Sequence, residues 1–186
     1  MIDGGHGDRV GRRVTLRPVD DDNWRAVADV APQDDQRRFV AALAARYLLL
    51  STRSEVWTSL AVYADETVVG HVMWGVDDDG SHWIGGMLID AAEQNRGVGR
   101  ATVQTLAPWL AARNGNPPVR LSYHPDNTPA AALYTSLGFH PTGAFDDDEL
   151  IAELNPRDLA FSVATKAHVP HLDDRNCKIA GVFGPA

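Results

Sequence analysis

The chain has 186 residues, with 17 lysines and arginines against 25 aspartates and glutamates, and its formal net charge is −8. This length fits a single domain, and the acidic balance argues against a nucleic-acid-binding protein, which would need a basic face. The same balance is compatible with a cationic substrate. The single cysteine, Cys177, excludes an internal disulfide framework and a zinc site built from a cysteine cluster.

Taken in chain order, the sequence predicts a strand, two helices, three strands, a helix, a strand, a helix and two strands. Alternating or continuous apolar residues indicate the strands, and apolar residues at helical spacing indicate the helices. The predicted strands cover residues 13–17, 57–64, 67–76, 82–89, 119–123, 139–143 and 149–154. The predicted helices cover residues 24–30, 34–50, 97–113 and 128–137. This order predicts a mixed-sheet domain of the α/β or α+β class.

The two ends of the chain differ in composition from the middle. Residues 1–12 are polar and rich in glycine, which predicts a flexible N-terminal arm. Both lysines and the cysteine follow Asn155-Pro156, so residues 155–186 are predicted to be an appendage of unknown role, and the domain is expected to span residues 13–154. The N-terminus lacks the apolar core of a signal peptide, and no apolar run reaches membrane-span length. We therefore expect a cytoplasmic protein without membrane contact.

The sharpest motif lies between the fourth predicted strand and the next helix, and its sequence is Gln94-Asn95-Arg96-Gly97-Val98-Gly99-Arg100-Ala101. Glycines let the backbone approach a ligand, and a helix start offers unpaired N–H groups and a positive dipole end to an anion. A dinucleotide fingerprint fits badly because Thr102 stands where a third small residue belongs, and a Walker loop would need a lysine and a hydroxyl. A tight turn without a ligand is the alternative.

A second motif supports a ligand-binding turn. It consists of Asn127, Ala130-Ala131-Ala132-Leu133-Tyr134 and Leu137-Gly138-Phe139. Together the two motifs resemble the GNAT N-acetyltransferase superfamily, and the resemblance covers residues 13–154. It implies the GNAT fold, a mixed and mostly antiparallel central sheet flanked by helices. It also implies acetyl-CoA as cosubstrate, no metal, and acetyl transfer to a primary amine by direct attack in a ternary complex.

The resemblance implies roles for individual residues. Residues 94–101 would bind the pyrophosphate of CoA, and the main chain of Met87, Leu88 and Ile89 would pair with the pantetheine arm and stabilise the oxyanion. Asn127 would contact the pantetheine or cap the helix that follows it. Tyr134 would be the general acid that returns a proton to the CoA thiolate, a task that suits a phenol with a pKa near ~10. The alternative for Tyr134 is a half-buried structural tyrosine.

The general base stays unassigned. An alkylammonium with a pKa near ~10 must lose a proton before it attacks. Many polyamine-acetylating members of the family carry a glutamate on the central strand, where this chain has Gly85-Gly86. That glycine pair could instead leave room for a bulkier substrate. The candidates for the base are a water chain to the acidic loops, His82, Asp90, Tyr123 and His124.

Shorter stretches resemble one branch of the family, the bacterial spermine/spermidine and other diamine N-acetyltransferases. They include Leu16-Arg17-Pro18, Gly70-His71-Val72-Met73-Trp74-Gly75 and Leu121-Ser122-Tyr123. This resemblance implies a polyamine-like acceptor. The run Asp146-Asp147-Asp148-Glu149 follows the last helix, close to where acceptors enter in the family, so we expect it to attract a cationic amine. The alternative for this run is a solvated turn.

Other functions stay open from the sequence. One is the acetylation of an aminoglycoside-like antibiotic, an amino acid or a protein amine. Another, from a different class, is a CoA-binding regulatory module without catalysis, which the missing strand carboxylate favours. A homodimer is the family-level expectation for assembly. His168 and His171 do not predict a metal site, because two histidines without a third ligand rarely form one.

Overall fold

The computed structural model describes residues 1–113 and 115–156, and these contain seven strands and four α-helices. The strands are β1 (Val14–Pro18), β2 (Thr58–Ala64), β3 (Thr67–Val76), β4 (His82–Ile89), β5 (Val119–Tyr123), β6 (His140–Asp146) and β7 (Glu149–Leu154). The helices are α1 (Trp24–Ala28), α2 (Ala45–Arg53), α3 (Val98–Ala111) and α4 (Thr128–Ser136). None of these helices is long and apolar enough to cross a membrane. The predicted appendage beyond Pro156, with Cys177, His168 and His171, lies outside the described residues.

The strands form one sheet in the order β1-β2-β3-β4-β5-β7-β6. Neighbouring strands are antiparallel except for β4 and β5, which are parallel. Helices α3 and α4 cover one face, where Leu16, Leu106 and Phe139 belong to the larger core. Helices α1 and α2 pack on the other face, against β2 and β3. The predicted fold class, a mixed and mostly antiparallel sheet flanked by helices, is confirmed.

The predicted helix over residues 34–50 is wrong. The chain makes a short 3-10 turn at Asp34–Gln36, and the α-helix forms only over Ala45–Arg53. The backbone before the helix has partners elsewhere, because the Ala44 N–H donates to the Val30 carbonyl at 2.9 Å. Tertiary hydrogen bonds of this kind outweigh a helical pattern of apolar residues.

Residues 1–12 differ from the flexible arm that their composition predicts. The backbone of Ile2 exchanges two hydrogen bonds with Leu16 of β1, at 2.7 and 2.9 Å, and the Ile2 side chain is buried in the core. The side chain of Asp8 is fully buried and accepts hydrogen bonds from both the backbone and the guanidinium of Arg12. A carboxylate with these partners can be buried, so this segment is attached to the domain by contacts that its polar composition does not indicate.

A bulge in β4 shapes the middle of the sheet. Gly85 pairs with Met73 and Leu88 pairs with His71, so two residues of β4 stand opposite one residue of β3. Gly86, inside the bulge, has a φ of +52°, and a Cβ on it would lie 2.7 Å from the Met73 side chain. Both the backbone angle and the space therefore require glycine at this position.

His71 holds this bulge from the neighbouring strand. Its side chain is fully buried, with Nδ1 2.8 Å from the Gly86 carbonyl oxygen and Nε2 2.9 Å from the Ser59 hydroxyl. The carbonyl can only accept, so Nδ1 carries the proton and Nε2 accepts from Ser59. The ring stacks on Tyr47 with their centroids 5.7 Å apart. Burial lowers the pKa of His71 to about 4, which keeps the ring neutral near pH 7.

His71 should make the stability of the protein sensitive to acid. Between its ordinary pKa of 6.5 and the folded pKa of about 4, the unfolded chain binds a proton that the folded chain does not. Above pH 6.5 the histidine is neutral in both states and the free energy of unfolding does not depend on its titration. As the pH falls, this titration lowers the free energy of unfolding, by about 3 kcal/mol at pH 4. Urea unfolding at pH 7 and pH 4 should show this extra loss in the wild type and not in His71→Gln.

The matched control is His140→Gln, which removes an exposed histidine from β6. It should lose as much stability between the two pH values as the wild type does. The same loss in His71→Gln would mean that carboxyl groups, and not the buried imidazole, govern the acid response.

Candidate active site

A cleft opens where β4 and β5 separate. The two strands pair only through His82 with Val119 and Trp83 with Arg120, so from Gly85 onward β4 has no partner strand on this side among the described residues. The cleft has a volume of about 620 Å³. Its walls come from β4, the end of β5, α4, the segment before α2, and the turn between β6 and β7. Backbone groups of β4 that face the gap are available to a ligand.

Met87, Leu88 and Ile89 lie on the unpaired stretch of β4. Leu88 is buried on the α2 side of the sheet, while Met87 and Ile89 pack partly against the core under α3 and α4. Leu88 belongs to the protein interior, whereas Met87 and Ile89 are half-buried and Met87 also lines the cleft. A ligand that enters the gap would therefore meet the main chain of this stretch and the Met87 side chain.

Residues 94–101 turn the chain from β4 into α3. Asn95 has a φ of +61° and Gly97 a φ of +87°, so two left-handed residues make the turn before α3 begins at Val98. Among the hydrogen bonds of residues 1–113 and 115–156, none uses the backbone N–H groups of residues 96–100. The positive end of a 14-residue helix adds to these free donors. The turn can therefore hold an anionic group such as a phosphate.

Several side chains of this turn serve the fold. The Gln94 side chain donates to the Ile89 carbonyl at 3.0 Å, and its amide pairs with the amide of Gln36. Val98 and Ala101 are buried in the core. These side chains fix the shape of the turn, and its backbone is the part that remains free.

Three arginines surround the turn. Arg96 pairs with Glu93 at 3.3 Å, and Arg100 donates to the Ser136 hydroxyl of α4 at 2.6 Å. Arg9, which the sequence analysis did not identify, donates its backbone N–H to the Arg96 carbonyl at 2.7 Å, and its guanidinium also contacts the turn. No sequence signal could have found Arg9, because it comes from the other end of the domain and reaches the turn only through folding.

The two glycines of the turn have different surroundings. A Cβ on Gly97 would lie 3.1 Å from a side chain of the N-terminal segment, and its positive φ also disfavours a side chain. A Cβ on Gly99 would make only ordinary contacts, at 3.7–3.9 Å, with Ile89, Leu133 and Met87. Gly99 therefore borders the groove between β4 and α4.

Asn127 at the start of α4 and Tyr134 within it line the cleft. The Asn127 side-chain oxygen caps the helix by accepting the Ala130 N–H at 3.3 Å. The Tyr134 ring is buried, with its centroid 5.7 Å from that of Tyr123. Burial, and then the charge of Glu149, raises the pKa of Tyr134 above its usual value. The hydroxyl is protonated near neutral pH, and the raised pKa makes it a weaker acid than an ordinary phenol.

The acidic run forms another wall of the cleft. β6 continues to Asp146, beyond its predicted end, so Asp147 and Asp148 form an exposed turn and Glu149 begins β7. Asp146 and Glu149 are half-buried, and the Ser122 hydroxyl donates to the Glu149 carboxylate. Burial raises the pKa of both half-buried carboxyls, and neighbouring aspartates add to the effect. In the part of the chain that the structure describes, no group of three or more metal-ligating side chains could hold a metal ion.

The structure brings two of the four predicted base candidates to the cleft. Tyr123 and His124 line it, and His124 Nδ1 accepts the backbone N–H of Asp126 at 3.1 Å. His82 is buried elsewhere, with Nδ1 3.0 Å from a carbonyl oxygen of α3. The Asp90 side chain caps the 3-10 turn after β4. His82 and Asp90 do not line this cleft, so neither is placed to act as its base.

Basic residues also line the cleft. Arg37, Arg38 and Arg46 come from the segment before α2 and from its first turn. Arg37 pairs with Asp34 at 3.0 Å, and the Arg38 guanidinium lies 4.5 Å from the centroid of the Phe39 ring. This group was not predicted from the sequence, because a continuous helix would have spread the three arginines around its surface. The cleft therefore presents charges of both signs.

Comparisons with known sequences point to one family. Residues 16–139 match the model described as the acetyltransferase (GNAT) family. A spermine/spermidine N(1)-acetyltransferase of Bacillus subtilis (strain 168) is 25% identical over 140 residues, which cover 72% of this chain and 91% of that relative.

Solved structures share the fold. The aminoglycoside acetyltransferase AAC(6')-Ib, in complex with coenzyme A and kanamycin, matches with a TM-score of 0.67 and 17% identity, over 80% of this chain and 98% of that one. Mycobacterium smegmatis RimJ, in complex with CoA-disulfide, matches with a TM-score of 0.63 and 16% identity, over 86% and 92% of the two chains. At these identities the likeness concerns the fold alone.

Proposed function

Because the chain belongs to the acetyltransferase (GNAT) family, we propose that it transfers the acetyl group of acetyl-CoA to the primary amine of a small cationic substrate while both are bound. The chain is an acetyltransferase by its family, which sets aside the alternative of a non-catalytic CoA-binding module. One observation carries the proposal. The free amides of residues 96–100, the unpaired backbone of β4 and the buried Tyr134 all border the gap beside β4 or the groove that runs into it.

Two parts of the chain would hold acetyl-CoA. The free amides of residues 96–100 suit the pyrophosphate. The main chain of residues 87–89 that faces the gap suits the pantetheine amides, as a sheet edge pairs with an extended ligand, except for the Ile89 carbonyl, which already accepts from Gln94. An N–H group of the same stretch would donate to the thioester oxygen as negative charge develops there, and one such donor is worth roughly 3 kcal/mol of transition-state stabilisation.

Tyr134 is the proposed general acid. The departing CoA thiolate needs a proton, and the Tyr134 hydroxyl carries one near neutral pH, although burial and the charge of Glu149 raise its pKa and so hold that proton more tightly than in an ordinary phenol. Among the described residues the hydroxyl makes no hydrogen bond that would compete for its proton. Its place in the cleft with Asn127 supports a role on the CoA side of the reaction.

A polyamine-like amine is the proposed acceptor. The exposed carboxylates of Asp147 and Asp148 lie at the cleft and would attract a cation. The Bacillus relative is named as a spermine/spermidine acetyltransferase, and its 25% identity supports the same substrate class here.

A second class of acceptor is favoured by the basic side of the cleft. Arg38 and Arg46 line the same space as the acidic run, so an amine that also carries a carboxylate could contact both charges. An amino acid and a peptide N-terminus are such amines. Release of free thiol from acetyl-CoA, measured with spermidine, an aminoglycoside, an amino acid and a short peptide, separates these classes. Turnover with none of them would contradict the proposed function.

Acetyl-CoA should raise the melting temperature of the protein, because a ligand that binds only the native state stabilises it. Gly99→Val should abolish this increase, since the added side chain would enter the groove between β4 and α4. The variant should fold without ligand, because a Cβ at this position makes only ordinary contacts. Ala112→Val, at the far end of α3, is the control and should keep the increase. An undiminished shift in Gly99→Val would remove this turn from the acetyl-CoA site.

Tyr134→Phe should keep the acetyl-CoA-dependent thermal shift and lower kcat and kcat/KM together. Proton donation to the thiolate matters only in the transition state, and losing a general acid costs roughly 10²-fold. Tyr63→Phe, in β2 beside Arg17 and outside the cleft, is the control. Steady-state kinetics that give wild-type turnover for Tyr134→Phe would show that another group is the acid.

Changing Asp146, Asp147 and Asp148 together to Asn should raise KM for a polyamine by more than it changes kcat, as expected when most of the loss is in uniform binding. Three weakened pairs at about 0.3 kcal/mol each correspond to roughly a 5-fold change. The variant should also lose the salt dependence of KM, because exposed charges are screened within about 8 Å at physiological salt. Asp20, Asp21 and Asp22 changed to Asn form the charge-matched control. An unchanged KM in the first variant would make the acidic run a solvated turn.

A further inference from the structure

Glu149 lies across the cleft from the proposed acid. Along β5 the side chains alternate, so that Leu121 and Tyr123 pack into the core under α3 and α4, while Ser122 points to the opposite face. Glu149 reaches Ser122 and is two residues from Ile151, which packs with the cluster on the α2 side. The carboxylate is therefore on the α2 face, and Tyr134 is on the α4 face.

This division of the cleft separates two tasks. A thioester in the gap would have its sulfur on the α4 side, near Tyr134. An amine that enters from the α2 side would approach the carbonyl carbon from the face where Glu149 and the segment before α2 lie. Removal of a proton from the amine and donation of a proton to sulfur then take place on opposite sides of the reacting carbon.

We propose that Glu149 is the general base that deprotonates the acceptor ammonium, with Ser122 holding the carboxylate in place. This assignment rests on the proposed function. The Ser122 hydroxyl donates to Glu149 Oε2, and Oε1 has no hydrogen-bond partner among the described residues. One oxygen is thus fixed and the other is free to take a proton.

Glu149 and Tyr134 together account for every proton that the reaction moves. The carboxylate of Glu149 takes one proton from the ammonium, and the lone pair of the amine nitrogen then forms the new C–N bond. The C–S bond breaks, its electron pair goes to sulfur, and Tyr134 gives the thiolate its proton. The nitrogen loses its second proton, which restores the Tyr134 hydroxyl through water, and Glu149 releases its proton to solvent. The products are the amide, the thiol of CoA and one proton.

The surroundings of Glu149 increase its basicity. Its pKa is affected by Asp146 and Asp148 from its own turn and by His124 from the end of β5. Its charge in turn raises the pKa of Tyr134 from α4 and of Tyr47 from α2. Burial raises the pKa of Glu149 above that of an ordinary glutamate, and the two aspartates add to the shift. A carboxylate with a raised pKa accepts a proton more readily than an ordinary glutamate does.

Rival bases in the cleft are less well placed. His124 Nδ1 is already an acceptor for the Asp126 N–H, so only Nε2 remains, and it faces Asp148 at 3.9 Å. The Tyr123 side chain points into the α3–α4 core, away from the proposed approach of the amine. Glu149 combines a half-buried position, a fixed orientation and a free oxygen atom.

Glu149→Gln provides the test, because the amide oxygen can still accept from Ser122. The variant should lose roughly 10²-fold in kcat with spermidine, the low end for a general base. In the wild type, kcat/KM should decrease at acidic pH because the carboxylate becomes protonated. In the variant this decrease should be absent. The loss in kcat should shrink for an amine of similar shape whose pKa is lowered towards neutrality by fluorine, since such an amine needs less help to deprotonate.

Two controls separate the outcomes. Glu153→Gln, on the same strand and paired with Arg120 outside the cleft, should leave kcat and the pH profile unchanged. His124→Gln should keep the acidic limb, and its disappearance in that variant would assign the base to His124. The proposal would be overturned if Glu149→Gln raised KM without lowering kcat. It would also be overturned if the loss in kcat were equal for amines of every pKa. A wild type that binds acetyl-CoA but acetylates no amine would overturn the proposed function together with this assignment.

Discussion

The hydrogen bond between His71 and the Gly86 carbonyl fixes the path of β4, and the site depends on that path. The bulge gives β4 one residue more than β3 and bends it, and it lies in the stretch where β4 no longer pairs with β5. The gap between the strands then exposes main chain that a regular sheet would have paired. The histidine is suited to this position because a buried, neutral ring can donate to the carbonyl and accept from Ser59 at the same time.

Charge across the gap couples the two proposed proton-transfer groups. The negative charge of Glu149 disfavours a second negative charge on Tyr134, and this is part of why the pKa of the phenol is raised. When Glu149 binds a proton, that repulsion ends and the phenol becomes a better acid. Loading the carboxylate with the proton of the amine therefore prepares the tyrosine to release its own proton to sulfur.

Much of the fold could be predicted from local patterns, because apolar alternation and glycine turns report directly on strands and their ends. The turn at residues 94–101 and the start of α4 at Asn127 were predictable for the same reason, since each is set by residues close together in sequence. The segment at residues 34–50 was not predictable. Its apolar spacing is helical, but a hydrogen bond from Ala44 to Val30 decides its conformation.

Local sequence could not reveal the surroundings of two carboxylates, one in the site and one in the N-terminal segment. Glu149 meets Ser122 only because β5 and β7 are neighbours in the sheet, so its environment depends on strand order. Asp8 is buried only because Arg12 pairs with it and with Glu93 of a distant turn. In both cases composition predicts a solvated carboxylate, and tertiary contacts change its surroundings. The charge pattern across the cleft was missed for the same reason.

The N-terminal segment also has a consequence for self-association. The backbone of Ile2 occupies both the N–H and the carbonyl of Leu16, and the His6 carbonyl accepts the Val14 N–H, so the outer edge of β1 is covered. At the other edge, β6 carries Pro141 and an irregular register that interrupt the row of free backbone groups. Neither edge is a ready template for another strand. Among the described residues, these features disfavour a dimer in which the sheet of one copy continues into the sheet of the other.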